Sequence, residues 1–438
     1  MNQPIDVYFL SYDGISSLTC GVGTGSRNVA RCMPRVANLL SDRYDCRFHV
    51  VTPHYSASMD GYDGDLLDRT REIVATVGGQ VLFHPDGTDG STQFGDVDQW
   101  RASSAGAAMV VLEQVRKAGV PALVLATDTP YAGVGECLTR GLDDPSVSIG
   151  TVWTAHSTIR NHPLPDAGGV RYQWERAGVT ATADPRCLVG TINRFMRDHL
   201  IAEYGAEPDR MVPFANGLPL HEDLGPVEDA TELMRRLGID EKRRYVMSCG
   251  RAERYKGFLE LIRAFHTSQD DHDLDLLLIL SDLTKQDPIL DECSALVDAM
   301  GVRATIVRDF LSHPSLRALV GHPSIRVFAG SSLADSGTIL PAEMRWWSED
   351  IGPVIVLSDV DASKEAVRHG VDGYLADIHD PRDFGGAITA AVRLTDGERR
   401  TMLKAGRQFL FAEFDYASNI ATCIASALDK FSAGVESF

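Results

Sequence analysis

The sequence Asp335-Ser-Gly-Thr-Ile-Leu-Pro-Ala-Glu343 follows an apolar segment at 325–329, which predicts a buried β-strand. Thr338 is a suitable cap for a helix that carries Glu343 in its first turns. In an open α/β sheet, ligands bind at the carboxyl ends of strands, and free N–H groups at a helix N-terminus favour anions. The stretch therefore predicts a parallel α/β sheet with an anion site beside two carboxylates. The alternative is that these carboxylates are only solvated charges or partners of the helix dipole.

A second stretch, Ser248-Cys-Gly-Arg-Ala-Glu-Arg-Tyr-Lys-Gly257, also follows a predicted strand and precedes a predicted helix. Arg251 presents a planar fork that matches phosphate oxygens, and Lys256 supplies a compact positive charge. The two cations could be ordinary surface residues. Their position on the same predicted sheet as the carboxylate loop favours a clamp for a diphosphate.

Composition limits the class of protein and of partner. The 438 residues are enough for two or three domains, and a net charge of −19 argues against nucleic acid or an anionic membrane as the main partner. None of the eight cysteines forms a C-x-x-C pair, so we expect free thiols rather than a zinc site. The sequence shows no signal peptide and no apolar run long enough to span a membrane. We therefore expect a cytoplasmic protein without an integral membrane segment.

Apolar runs alternate with amphipathic helical patterns along the whole chain. The predicted strands are 5–12, 48–52, 77–83, 122–126, 148–154, 187–191, 245–248, 274–280, 304–307, 325–329 and 353–356. Pro and Gly residues predict a linker at 218–240, and a last helix is expected from Tyr416. This alternation predicts an α/β fold of two Rossmann-like domains that face a central cleft.

Three further features carry weaker signals. The glycine stretch 21–25 lacks the third glycine of a dinucleotide fingerprint, and the strand at 48–52 ends without an acid, which disfavours NAD. This stretch is either a plain turn or a backbone approach to a phosphate or sugar. The acid pair Asp143-Asp144 has no His or Cys partner nearby, so we expect no metal site. His156 follows a strand and faces the predicted cleft, although a lone histidine is more often structural.

Several motifs together resemble glycosyltransferase family 4, the glycosyl transferases group 1, which are retaining enzymes of the GT-B fold. The motifs are Arg251-x-x-x-x-Lys256-Gly257, Asp335-x7-Glu343, Gly352-Pro-Val-Ile-Val-Leu-Ser-Asp359 and Gly370-x-Asp-Gly373-Tyr-Leu. Asn216-Gly217, Thr154-Ala-His156-Ser and the glycine stretch are also similar to family features. The resemblance covers 240–390 well and 1–215 loosely.

The resemblance implies that the two domains bind different substrates. Residues 1–217, with a returning helix at 416–438, would bind the acceptor, and 218–415 would bind a nucleotide-diphosphate sugar carrying UDP or GDP. Arg251 and Lys256 would hold the diphosphate and, with His156 near the sugar, form the catalytic set. The implied donor-binding residues are Gly23, Arg308 (for the base), Asp335, Ser336, Gly337, Thr338 and Glu343 (for the ribose). Asp128 and Tyr131 are the implied acceptor-binding residues.

The implied function is a retaining transfer of a sugar to a small polar acceptor, without metal or other cofactor, in the assembly of an antibiotic of aminoglycoside or lincosamide type. The chain departs from the family at Asp335, where Glu is usual, and in 53–100 and 157–175, so the donor sugar and acceptor stay open. A sugar-nucleotide epimerase or hydrolase, a phosphorylase and a non-catalytic nucleotide-sugar-binding protein are the alternatives. A homodimer is also left open.

Overall fold

A computed structural model describes residues 2–17, 21–59, 61–88, 95–142, 148–162, 166, 169–281, 288–337, 339–348 and 351–434. The chain divides into two compact units. The first unit contains Met1–Pro219 together with Phe414–Phe438, and the second contains Leu220–Glu413. Each unit has its own parallel sheet, as the alternating sequence pattern predicts. The substrate roles that the resemblance gives to the two domains stay predictions.

Seven strands form the sheet of the first unit. They are β1 (Gln3–Leu10), β2 (Tyr44–Pro53), β3 (Val81–His84), β4 (Ala122–Thr127), β5 (Ile149–Thr154), β6 (Cys187–Thr191) and β7 (Met211–Pro213). Their order across the sheet is β3-β2-β1-β4-β5-β6-β7, and every pair is parallel. The helices of this unit are α1 (Gly21–Leu40), α2 (Gly64–Thr76), α3 (Val97–Ala118), α4 (Val134–Gly141), α5 (Val170–Thr180), α6 (Arg194–Tyr204) and, from the end of the chain, α15 (Tyr416–Gly434).

Both faces of this sheet are apolar. Along β1, Ile5, Val7 and Phe9 enter one core cluster, and Tyr8 and Leu10 enter the cluster on the opposite face. Side chains alternate between the faces of a strand, so a strand that is covered on both sides shows a continuous apolar run rather than an alternating one. This explains why periodicity alone identifies the strand but not its buried face.

The helix α15 completes one of these two cores, although it comes from the far end of the chain. It packs against α1, β5 and β7. Its residues Tyr416, Ile420, Ile424 and Phe431 belong to the same cluster as those of β1. Phe431 lies directly on Gly150, where a Cβ would collide with its ring.

Six strands form the sheet of the second unit. They are β8 (Tyr245–Arg251), β9 (Asp275–Ser281), β10 (Ala304–Val307), β11 (Ile325–Gly330), β12 (Val354–Ser358) and β13 (Tyr374–Ala376). The order is β10-β9-β8-β11-β12-β13, again with all pairs parallel. The helices are α7 (Ala230–Arg236), α8 (Phe258–Ser268), α9 (Ile289–Met300), α10 (His313–Val320), α11 (Leu340–Ser348), α12 (Ser363–Ala366), α13 (Pro381–Arg393) and α14 (Asp396–Glu413).

The structure differs from the sequence prediction in three local places. Residues 21–25 are already helical, because the glycines form the first turn of α1 rather than a loop before it. The segment 218–240 is not a continuous linker, since it contains α7, which Asp229 caps by accepting a hydrogen bond from the N–H of Glu232. The strand expected at 77–83 begins only at Val81, after a helix that ends at Thr76. The predicted cap Thr338 lies outside the described residues.

None of the helices that the structure describes is both long enough and apolar enough to cross a membrane. The seven cysteines that the structure describes are all free thiols.

His84, at the end of β3, is held inside the first unit by two hydrogen bonds. Its Nδ1 lies 2.9 Å from the carbonyl oxygen of Pro85, and its Nε2 lies 2.8 Å from the hydroxyl of Tyr131. With the proton on Nδ1, Nε2 accepts a hydrogen bond from the tyrosine. Burial lowers the pKa of His84 from its ordinary value to about 4.

We predict that His84 contributes to acid unfolding of the first unit. Its pKa in the folded state is below that of the unfolded chain, so its contribution to stability is present above about pH 6.5 and is lost as the pH falls towards about 4. A shift of this size corresponds to at most about 3.5 kcal/mol. Urea unfolding between pH 7.5 and 4.5 should therefore give a shallower pH dependence for His84→Gln than for the unmodified protein. Replacing the exposed His379 by Gln is the control, and equal slopes for all three proteins would contradict the prediction.

Candidate functional site

The turn that carries Lys256 is fixed to the end of the neighbouring strand β11. The hydroxyl of Ser331 donates to the carbonyl oxygen of Lys256 at 2.9 Å, and the N–H of Leu333 donates to that of Tyr255 at 2.7 Å. Gly257 has φ +67°, and a Cβ there would collide with the carbonyl oxygen of Ser331. The conformation and the close approach both require glycine. The carboxyl ends of β8 and β11 are thereby held side by side.

A pocket opens at this edge of the second sheet. It has a volume of about 40 Å³ and is open to solvent. Its lining contains Lys256 and Asp335, which are predicted from two distant motifs. The other lining residues are Ser248, Cys249, Phe258, Phe328, Gly330, Ser331, Ser332, Leu340, Pro341, Leu357 and Ser363.

The two predicted diphosphate-binding cations differ in their surroundings. Burial lowers the pKa of Lys256, and the positive charge of Arg251 adds to this, whereas the carboxylates of Asp335 and Glu253 act in the opposite direction. Arg251 is more exposed. Its Nη1 lies 2.7 Å from Oε1 of Glu253, and its Nη2 donates to the hydroxyl of Tyr255 at 2.9 Å. Both cations are therefore close to carboxylates of their own unit.

Asp335 organises the loop in which it lies. Its Oδ1 accepts a hydrogen bond from the N–H of Gly337 at 2.9 Å, and its Oδ2 accepts one from the hydroxyl of Ser363 at 2.7 Å. The N–H of Asp335 donates to Oδ2 of Asp361 at 3.0 Å. Asp361 has a positive φ of 42°. Ser336, between Asp335 and Gly337, is also buried. The carboxylate thus fixes the backbone of 335–337 against the start of α12.

Glu343 lies in the first turn of α11 and is buried. Its Oε1 is 3.9 Å from Nε2 of His313, whose ring centroid lies 5.6 Å from that of Trp347. Burial and the charge of Glu343 together raise the pKa of the Cys249 thiol to about 12. The charge of Glu343 therefore acts on Cys249, which is one of the residues that line the pocket.

Arg308 takes a different position from the other predicted donor-binding residues. It follows β10, and its guanidinium donates to Oδ1 of Asp291 at 3.0 Å and to the hydroxyl of Ser294 at 2.7 Å. Both partners belong to α9. Arg308 is not among the residues that line the pocket, and neither are Arg251, Ser336, Gly337 and Glu343.

A buried ionic network that the sequence analysis missed supports α11. Arg345 donates to the carbonyl oxygen of Ala366 at 2.9 Å and to Oδ1 of Asp372, also at 2.9 Å. Oδ2 of the same aspartate accepts a hydrogen bond from Nε of Arg368. Asp372 is the acid of the Gly370-x-Asp-Gly373 motif, and this motif is the sequence signal that could have revealed the network. The network connects the helix of Glu343 to the turn before β13.

In the first unit, Asp128 and His156 lie at the ends of adjacent strands. Asp128 has a positive φ of 70°, and its N–H donates to the carbonyl oxygen of Thr154 at 2.7 Å. It is only 7% exposed, and its Oδ1 has no hydrogen-bond partner among the described residues. Burial lowers the pKa of His156, and the charge of Asp128 opposes this. A strained residue with an unpaired buried carboxylate oxygen is a candidate for substrate binding.

The structure gives Tyr131 and Gly23 mainly structural surroundings. Tyr131 is fully buried, and its hydroxyl is the partner of His84, so in this conformation it is not open to an acceptor. Gly23 lies against the loop after β1: a Cβ on Gly23 would collide with the Asp13 carboxylate, and one on Gly14 would collide with the carbonyl of Gly23. A side chain at position 23 would therefore displace the Asp13 carboxylate within the first unit.

The loop after His156 is held by a buried carboxylate that sequence analysis also missed. Glu175, on α5, is fully buried, and it accepts hydrogen bonds from the N–H of Ile159 at 3.1 Å and from the hydroxyl of Tyr204 at 2.6 Å. Nε of Arg171 donates to the same carboxylate at 2.7 Å. Burial raises the pKa of Glu175, and these partners oppose the shift. No pattern in the sequence distinguishes this glutamate from a surface residue.

No metal centre is evident in the part of the chain that the structure describes, since no three His, Cys, Asp or Glu side chains converge there. Whether the protein needs a metal stays a prediction.

We predict that Glu175 keeps the loop at 156–162 in place. Glu175→Ala removes the partner of a nearly buried arginine, which typically costs about 3–5 kcal/mol, and it frees the N–H of Ile159. Urea unfolding should show this loss, and amide hydrogen exchange at 157–162 should become faster. Glu113→Ala on α3, which removes an exposed partner of Lys117, is the control and should cost less than about 1 kcal/mol. Unchanged exchange in the loop of Glu175→Ala would show that the carboxylate does not hold it.

Comparison with known sequences shows a similarity over part of the chain. The model of the family described as glycosyl transferases group 1 matches residues 229–409. A curated relative, "D-inositol 3-phosphate glycosyltransferase 1" of Catenulispora acidiphila, is 29% identical over 295 residues. That match covers 64% of this chain and 66% of the relative, which is slightly less than two thirds of the relative's length.

Comparison with solved structures supplies the fold. The sucrose-phosphate synthase of Thermosynechococcus elongatus superposes with a TM-score of 0.70 and 15% identity, over 99% of this chain and 100% of that one. Anabaena HepE, solved with UDP and glucose, gives a TM-score of 0.65 and 17% identity, over 97% and 99%. Identities this low are informative about the fold alone. The fold prediction is confirmed: the chain has the GT-B fold. Residues 229–409 match the model of the glycosyl transferases group 1, in agreement with the sequence resemblance over that part of the chain.

Proposed function

We propose that this protein transfers a sugar from a nucleotide-diphosphate sugar to a small polar acceptor, with retention of configuration at the sugar carbon. One observation carries the proposal. Lys256, after β8, and Asp335, after β11, line the same pocket at the carboxyl edge of a parallel sheet. Arg251 and Glu343 are not in its lining, but their charges act on the lining residues Lys256 and Cys249. This is the edge at which α/β sheets bind ligands.

The charges of this site suit a diphosphate. Lys256 and Arg251 would bind its oxygens and stabilise the negative charge that develops as it leaves the sugar. The backbone of 335–337, which Asp335 fixes, would present N–H groups to the donor. Glu343 would accept hydrogen bonds from the ribose hydroxyls. Arg308 and Thr338 remain proposed donor contacts from the resemblance alone.

In the first unit, Asp128 and His156 are the proposed substrate-binding pair. Since burial keeps the His156 imidazole neutral at pH 7, it would act as a hydrogen-bond partner of a sugar hydroxyl rather than as a charge. Oδ1 of Asp128 would accept a hydrogen bond from a hydroxyl or ammonium group. Tyr131 would act indirectly, by holding the end of β3 through His84. Gly23 would contribute its backbone only.

The similar proteins suggest which donor to try first. HepE was solved with UDP and glucose, and the curated relative is described as a D-inositol 3-phosphate glycosyltransferase. UDP-glucose is therefore the first donor to test, with GDP sugars as the second. The antibiotic pathway, the acceptor, the cytoplasmic location and a homodimer stay predictions. An epimerase or hydrolase would consume the donor without an acceptor, and a binding protein would not consume it at all.

We predict that Arg251→Ala and Lys256→Ala each lower turnover about a hundredfold or more while the protein stays folded. Removing one group that stabilises charge in a transition state typically costs about 2.7–4 kcal/mol. Release of nucleoside diphosphate from the donor in the presence of acceptor measures this. Arg254→Ala is the matched control, because Arg254 belongs to the same turn but pairs with Glu292 on the surface. Turnover like that of the unmodified protein in both variants would refute the assignment.

We also predict that turnover does not depend on a divalent metal, since Arg251 and Lys256 already supply positive charge to the diphosphate. Dialysis against EDTA should leave the initial rate unchanged. The control is the same dialysis followed by addition of Mg²⁺ or Mn²⁺. A rate that falls with EDTA and returns with either ion would show that a metal carries this charge.

A further inference from the structure

The carboxylate of Glu253 pairs with the guanidinium of Arg251. Its Oε1 lies 2.7 Å from Nη1 of Arg251, a short charge-assisted contact. The hydroxyl of Tyr255 accepts from the other terminal nitrogen, Nη2, at 2.9 Å. The face that the guanidinium would offer to two phosphate oxygens is thus engaged by a carboxylate and a phenol of the same turn.

The contact is built into the backbone of this turn. The N–H of Glu253 donates to the carbonyl oxygen of Arg251 at 2.8 Å, and the N–H of Lys256 donates to that of Glu253 at 3.0 Å. Glu253 therefore lies between the two cations in sequence, on a turn whose backbone is hydrogen-bonded on both sides of it. Its negative charge also acts on Lys256.

The Glu253 carboxylate is incompletely satisfied in this position. Its Oε2 is buried and has no hydrogen-bond partner among the described residues. A buried oxygen without a partner costs free energy, so a rearrangement that exposes it to water recovers part of the cost of leaving Arg251. The side chain is 29% exposed, which leaves it a route towards solvent.

We propose that Glu253 is an internal counter-ion that competes with the donor diphosphate for Arg251. This inference rests on the proposed function, because it takes Arg251 as a diphosphate-binding residue. Binding of the diphosphate displaces the carboxylate, and its return helps to expel the nucleoside diphosphate product. Glu253 therefore sets the affinity of the site for diphosphates.

The opposite role is that Glu253 orients Arg251 for the diphosphate and remains paired with it. The two roles predict opposite changes in diphosphate affinity when the charge of Glu253 is removed. Glu253→Gln keeps the shape of the side chain and removes its charge. It strengthens diphosphate binding if the carboxylate competes, and it weakens binding if the carboxylate orients the arginine.

The test is calorimetric titration of the full chain with UDP, GDP and inorganic pyrophosphate, the last of which probes the clamp without a base. For Glu253→Gln we expect a Kd about three- to tenfold lower for pyrophosphate and for the nucleotide that the protein prefers, with a smaller gain at high salt. Glu292→Gln is the matched control, since it removes one carboxylate that pairs with Arg254 in the same turn. It should leave the Kd unchanged.

A double-mutant cycle separates this role from a general change in charge or folding. In an Arg251→Ala background, Glu253→Gln should no longer strengthen binding, because the carboxylate acts through Arg251. Melting temperatures of all variants identify any that are not folded, and Glu253→Ala replaces Glu253→Gln if that variant is unstable.

The outcomes distinguish this inference from the proposed function. If the unmodified protein binds a nucleotide or pyrophosphate but Glu253→Gln binds with the same or a higher Kd, the counter-ion role is refuted and the proposed function stands. If the unmodified protein binds none of the three probes, both are refuted.

Discussion

The candidate site depends on the parallel pairing of β8 with β11. This pairing places two strand ends side by side, and the backbone contact between Gly257 and Ser331 locks them at that spacing. Lys256 comes from one end and Asp335 from the other. Any side chain at position 257 would force these ends apart. The backbone contact between the two strand ends thus determines how far apart Lys256 and Asp335 lie in the pocket.

Buried ions support the surroundings of the proposed sites in both units. Asp372 joins Arg345 of α11 to the turn before β13, and Glu175 fixes the loop after His156. Breaking such a pair leaves a buried charge without a partner, which is costly. The rigidity of both regions therefore rests on residues that would not contact a substrate in the proposed function.

The sequence predicted the fold class and the convergence of Lys256 with Asp335, because buried parallel strands appear as apolar runs and ligand-binding residues follow their ends. It did not predict Glu253 or Glu175, since a carboxylate that pairs across a turn has the same sequence signature as one in solvent. The glycines at 21–25 were expected to form a loop, but they form the first turn of α1, where Gly23 lies against Asp13 and Gly14. Tertiary contact, which local propensity does not contain, decided each of these cases.

The position of α15 has a consequence for the synthesis of the protein. During translation, β1–β7 leave the ribosome first, but one of their two cores lacks Tyr416, Ile424 and Phe431 until the end of the chain has been made. The second unit, Leu220–Glu413, is continuous in sequence and has all of its strands before that point. The unit that is synthesised first is therefore the last to be completed, and its open apolar face is a natural substrate for a chaperone until α15 arrives.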